Sequence, residues 1–111
     1  MAKDLSVSVL LDFYGELLTQ KQAEALDLYY NQDLSLAEIA VDMEVSRQGV
    51  RAFIKQGEAH LLSFEEKLGM AKRFAQINKL VKSMQEVIEA LPDSDKVTVL
   101  SKKIEEIKSR L

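Results

Sequence analysis

The sequence predicts an all-α protein, and three observations carry that prediction. Apolar residues recur at helical spacings along almost the whole chain, only four glycines and one proline interrupt its 111 residues, and capping signals open one segment after another. Hydrophobic residues make up 47% and charged residues 30%, a balance that suits ordered amphipathic helices and argues against a disordered chain. A chain of this length can bury one core well, so one compact unit with an appendage is expected.

From Leu5 to Leu18 two apolar stripes run side by side, Leu5, Val9, Phe13 and Leu17 on one and Val7, Leu10, Leu11, Tyr14 and Leu18 on the other. So broad an arc predicts a helix that is mostly buried, in its own core or in a partner. Thr19, with Gln22 three residues on, has the form of a capping box and opens a second helix through about Asn31, with Ala23, Leu26 and Tyr30 on one face. Ser35 with Glu38 repeats that form and starts a short third helix carrying Leu36, Ile39, Ala40 and Met43 at core spacing. Ser46 caps a fourth, in which Val50, Ile54, Leu61, Phe64 and Leu68 step at three, four and seven with Gly57 on the same stripe; it extends to Leu68, beside Gly69.

After Gly69 the phase changes. Met70, Phe74, Ile77, Val81, Met84, Ile88 and Leu91 alternate spacings of four and three over three heptads, a coiled-coil-type seam. Pro92 ends it, Ser94 caps a last helix, and in that helix Val97, Leu100, Ile104, Ile107 and Leu111 repeat the spacing, so that the two read as an αα-hairpin. The seam serves either a dimer or a fold-back within the chain. Two seams beside a very apolar first helix favour a homodimer.

Several function classes are disfavoured. The chain has no cysteine, which excludes disulfides, thiolate zinc sites and a cysteine nucleophile. Its single histidine, His60, has no second ligand at metal spacing, and no cofactor or metal is expected. Adjacent carboxylates such as Glu65-Glu66 and Glu105-Glu106 point in different directions from a helix, and there is no glycine-rich phosphate loop or nucleophile elbow, so an enzyme is not expected. No apolar run approaches the roughly 20 residues of a membrane span, and Lys3 and Asp4 before a short apolar stretch make no signal peptide, which predicts a cytoplasmic protein without membrane insertion.

Net charge is -3, against the grain of a nucleic-acid ligand, but it is unevenly spread. Residues 1–33 carry two bases and six acids, residues 34–68 four and six, and residues 69–111 nine and six. The basic tail, with Lys79, Lys82, Lys102 and Lys103 among its members, reads as the solvated face of two amphipathic helices, or as a grip on RNA or an acidic protein.

The third and fourth helices carry the chemistry. A bihelical nucleic-acid reader needs a tight turn between two helices, a small residue where they cross and apolar residues that fix the second helix at an angle. Ala40 is the small residue, Ile39, Met43, Val45, Val50 and Phe53 form the lock, and Glu44 to Ser46 make the turn. Left outward on the second helix are Arg47, Gln48, Arg51 and Lys55, with three bases and no acid between Ser46 and Gln56. Arginine pairs bidentately with guanine, glutamine with adenine, and lysine neutralises phosphate. Ser46 and the helix N-terminus can meet a phosphate oxygen.

At these residues the chain resembles a known module. Leu18-Thr19 with Gln22, Leu26, Leu28 and Tyr29, then Leu36-Ala37-Glu38-Ile39-Ala40, then Val45-Ser46-Arg47 with Val50-Arg51, are similar to sigma-70 region 4, which in sigma factors reads the upstream promoter element. With no region 2-like segment in so short a chain, a complete sigma factor is not expected. The N-terminal helix, the Val45-Ser46-Arg47-Gln48 string, the long fourth helix and the helical tail together resemble the YlxM family of bacterial accessory proteins. That resemblance implies a helix-turn-helix domain over 1–68, with a recognition helix at about 47–68, and a hairpin at 69–111 for packing or dimerisation. It also implies a setting beside the signal recognition particle, with DNA or the particle's RNA as ligand. A protein-binding adaptor that keeps the scaffold without reading DNA is the alternative. Gly49 and Gly57 depart from the family pattern, and because glycine costs a helix interior about 1 kcal/mol, they predict a looser fourth helix.

Overall fold

Helix caps set most of the element boundaries. Thr19 Oγ1 accepts the Gln22 N–H at 3.2 Å while Gln22 Oε1 takes the Thr19 N–H at 3.4 Å, and Ser35 with Glu38 makes the same reciprocal pair at 3.1 Å each way. Each box satisfies two amides that a helix start leaves over. The computed structural model describes residues 6–111, so Leu5 of the first stripe, with Lys3 and Asp4, lies outside the described residues. Within them run α1 (Ser6–Tyr14), α2 (Gln20–Leu26), α3 (Leu36–Met43), α4 (Arg47–Leu68), α5 (Met70–Glu89) and α6 (Asp95–Ser109), and no strand. The protein is all-α. Two compact units divide it, Met1–Ala71 and Lys72–Leu111.

In the first unit α1 buries most of its apolar residues, with Leu11 and Phe13 packed against the core. Val7, Leu10 and Tyr14 face the core, whereas Val9 and Leu17, on the other stripe, are exposed. The segment also breaks at Tyr14, and Gly15–Leu17 form a tighter 3₁₀ turn before Thr19 restarts the helix. At the end of α2 the backbone widens into a π turn over Asp27–Asn31. Gln22, Ala25, Leu26 and Tyr29 face inward at ordinary helical spacing and Ala23 and Tyr30 stand at the flanks, so the buried face differs in phase from the expected Ala23-Leu26-Tyr30 face. Tyr29 and Tyr30 meet edge-on at 5.1 Å.

Helix α4 is the spine of this unit. Val50, Ile54 and Leu61 are fully buried, together with Leu26 of α2 and Ile39 of α3, and α1, α2 and α3 all pack on it. Gly57 lies in that stripe for a reason spacing alone does not give. A β-carbon there would stand 2.6 Å from Leu26 Cδ1 and 3.3 Å from Leu26 Cγ, so glycine lets α2 and α4 approach. The expected loosening at Gly57 is thereby corrected: the propensity cost is exchanged for a close helix crossing. At the far end, Gly69 adopts φ +62, a left-handed conformation that terminates α4 at low steric cost.

Where α4 passes into α5, buried Tyr14 and half-buried Glu65 together act as a cap. The Tyr14 hydroxyl donates to Glu65 Oε1 at 2.6 Å and accepts the Met70 N–H at 3.0 Å, and Glu65 Oε1 takes the Ala71 N–H at 3.0 Å. Burial first, and the bond to Glu65 second, push the Tyr14 phenol above its ordinary 10.0.

The second unit is an antiparallel pair, α5 and α6, joined by a short turn containing Pro92 and capped by Ser94 Oγ on the Val97 N–H at 3.3 Å. Its core is Val81, Ile88 and Ile104 with Val97 against them. Only part of the sequence-predicted seam is therefore inside: Met70, Ile77, Met84 and Leu91 are exposed, as are Leu100 and Ile107 of the last helix and Leu111 beyond its end. Two helices alone can cover one line of each other, not two.

Gly57→Ala should lower the denaturation midpoint, the unfolding free energy falling by about 1 to 3 kcal/mol for overpacking less the propensity gain, because Leu26 is enclosed and cannot swing away. Gly49→Ala, whose β-carbon meets the exposed Ser46 hydroxyl and Val45, should not lower it. The Tyr14 phenol stays protonated in the folded chain where an unfolded chain has begun to ionise. The stability this confers is whole below about pH 10 and is lost as pH rises through the raised value, so an alkaline titration of stability should fall above pH 10 in the wild type and fall less in Tyr14→Phe.

Candidate nucleic-acid interface

The turn between α3 and α4 is built by backbone chemistry. Val45 N–H donates to the Ala40 carbonyl at 3.0 Å and Glu44 N–H to the Val41 carbonyl at 3.3 Å, the bond pair of a Schellman motif. Its left-handed position is Glu44, at φ 58, where glycine is the usual occupant. Two residues later Ser46 Oγ accepts the Gly49 N–H at 2.9 Å and starts α4. Fully buried Ile39 and Val50, with half-buried Ala40, Met43, Val45 and Phe53, hold the two helices at their crossing.

Outside that lock stand Arg47, Gln48, Arg51 and Lys55, all exposed, and no hydrogen bond or ion pair among the described residues engages any of them. Arg47, Arg51 and Lys55 succeed one another at four-residue steps along one face. A groove of about 490 Å³ gathers Arg47, Gln48 and Arg51 with Ser35, Leu36 and Ala37 of the α3 start. Lys55 lies one turn further along, outside it. Ser46, exposed, has its oxygen committed to the cap, which leaves its proton to donate.

Sequence reasoning misses the contribution of α3. In each capped helix the third amide is taken by the capping serine, so the first two, Leu36 and Ala37 in α3 and Arg47 and Gln48 in α4, have no helical acceptor. Both helix starts open on one groove together with two guanidinium groups. Such an arrangement can receive a phosphate by backbone N–H bonds, by the positive ends of two helix dipoles and by arginine forks. Both capping signals were visible in the sequence; their adjacency was not. Of the neighbouring acids, Asp42 and Glu44 are exposed, while Glu58 is engaged by the Tyr30 hydroxyl.

A short helix locked by a Schellman turn onto a longer helix with a cationic outer face defines a helix-turn-helix protein. The chain belongs to the UPF0122 family, described as "Putative helix-turn-helix protein, YlxM / p13 like", whose model matches residues 1–106. It is 44% identical over 108 residues to a UPF0122 protein of Acetivibrio thermocellus, covering 97% of this chain and 87% of that one. A UPF0122 protein of Clostridium kluyveri is 44% identical over 102 residues, 92% of each chain, and one of Bacillus velezensis is 38% identical over 107 residues, 96% of this chain and 97% of the relative.

Glu44→Gly should raise stability by about 1 kcal/mol, since a non-glycine residue in the left-handed region costs on the order of 1 to 2 kcal/mol. A chemical denaturation midpoint that does not rise would mean that the Glu44 side chain makes up the difference.

Proposed function

We propose that this chain is a non-enzymatic nucleic-acid-binding accessory or regulatory protein of the cytoplasm, reading its ligand through Arg47, Gln48 and Arg51, with Lys55 and Ser46 on flanking phosphates. One observation carries the reading: the groove in which the starts of α3 and α4 meet two unpaired arginines. In the proposed division of labour, residues 1–68 hold the reading domain and residues 69–111 the packing or dimerisation hairpin, and the protein works as a homodimer. The setting proposed with it is the signal recognition particle pathway, with the particle's components as partners and its RNA as a ligand beside DNA.

Net charge of -3 bears on strength rather than on the site. Phosphate contacts supply most of the sequence-independent affinity of such proteins, and this chain offers a local cationic surface in an acidic surround. Modest affinity, raised by pairing or by a partner, is the consistent picture.

Replacing Arg47, Arg51 and Lys55 with alanine should abolish salt-dependent binding to duplex DNA or hairpin RNA while leaving the helical signal intact, because all three side chains are exposed. Each lost phosphate contact should flatten the slope of log K against log salt by about 0.9 on duplex DNA. Fluorescence anisotropy across a potassium chloride series reads both. A wild type without salt-sensitive binding to either ligand would sink the proposal and favour the protein-binding adaptor.

A further inference from the structure

The unit Lys72–Leu111 buries only half of the heptad pattern it carries. Val81 and Ile88, one heptad apart, turn inward toward Val97 and Ile104, and Phe74, a heptad earlier, is half-buried. Ile77, Met84 and Leu91, also one heptad apart, stand outside with Leu80 and Val87 beside them, Leu80 being 65%, Val87 62% and Met84 51% exposed. On α6 the same division holds, with Leu100 and Ile107 outside, and Leu111 just beyond its end is exposed too.

These two leftover stripes share one side of the hairpin. At 100° per residue, the exposed line of α5 lies about a quarter turn from its buried line, and that of α6 somewhat less, in the same rotational sense viewed from each helix's own N-terminus. Because the helices are antiparallel, the same sense brings both lines to one face. Lys79, Lys82 and Glu86 of α5 and Lys102 and Glu105 of α6 fall on the opposite side, and Lys103 flanks the apolar line of α6. Gln85 ties the pair together, donating to Glu105 at 2.6 Å and accepting from Lys108 at 3.2 Å.

The size and period of this face decide what covers it. Its exposed side chains amount to on the order of 700 Å², above the largest patch of a typical monomer and close to the roughly 800 Å² that each partner gives a standard interface. Apolar lines repeating every seven residues on two adjacent antiparallel helices are half of a four-helix bundle, and the other half must carry the same period. A second copy of this hairpin does, and a two-fold axis through the face pairs it with itself.

We infer that the hairpin Lys72–Leu111 is a self-association module in which two copies close a four-helix bundle over Ile77, Leu80, Met84, Val87, Leu100 and Ile107. The inference deepens the homodimer of the proposed function and rests on it. Val81, Ile88 and Ile104 serve the hairpin's own core rather than the interface.

Sedimentation of the full chain at high micromolar concentration tests it. The wild type should sediment at twice the chain mass of 12.5 kDa. Leu80→Lys with Val87→Lys should halve that mass without loss of helical circular dichroism, since both residues are already exposed, and Met84→Lys with Ile107→Lys should act alike. A wild type of 12.5 kDa, or lysine variants that keep the doubled mass, would overturn the inference. The alanine variant at Arg47, Arg51 and Lys55 separates the two readings: if it keeps the doubled mass and still binds nucleic acid as the wild type does, the reading face fails and the bundle stands.

Discussion

Leu26 lies so close to the backbone of Gly57 that a β-carbon would have only 2.6 Å to stand in, and on that crossing the N-terminal unit depends. With α2 drawn in, Leu26 fills the space beside Val50, Ile54 and Leu61, and all of these reach zero exposure. The fully buried Ile39 then sets α3 against the first half of α4. Densely packed interiors transmit a change of one methylene. The orientation of the outward face is thus an indirect product of a contact on the other side of α4.

The electrostatics of that face stem from the same geometry. Formal charge alone makes the chain an unpromising binder of phosphate, at -3 overall. Helix N-termini, however, carry about half a positive charge each without adding a base to the sequence. Two of them open on the groove with Arg47 and Arg51, where oriented amides and guanidinium forks act over a few ångströms. Distant carboxylates, solvated and screened beyond about a Debye length of 8 to 10 Å, weaken such a site less than the net charge suggests.

The second unit obeys a different constraint. Its core is four side chains, Val81, Ile88, Ile104 and Val97, with one amide bridging the helices at Gln85. So small a core leaves a whole apolar line on each helix without cover, and apolar area in water on that scale favours assembly.

Much of the fold was legible in the sequence because its signals are local. Both capping boxes, the Ser46 and Ser94 caps, the end of α4 at Leu68 and the outward placement of Arg47, Gln48, Arg51 and Lys55 arise from residues within a few positions of one another. The features that tertiary structure alone decided are non-local. Regular spacing cannot show which phase of α2 faces the core, so that Tyr29 rather than Tyr30 is buried, or that α1 stops at Tyr14, whose hydroxyl joins Glu65 in capping α5. The seam from Met70 to Leu91 specified a period, but which of its two lines faces inward depended on where α6 came to lie. Gly57 reads in one dimension as a helix weakness and in three as the place where two helices meet, because a residue's cost is set by its own backbone and its value by what approaches it.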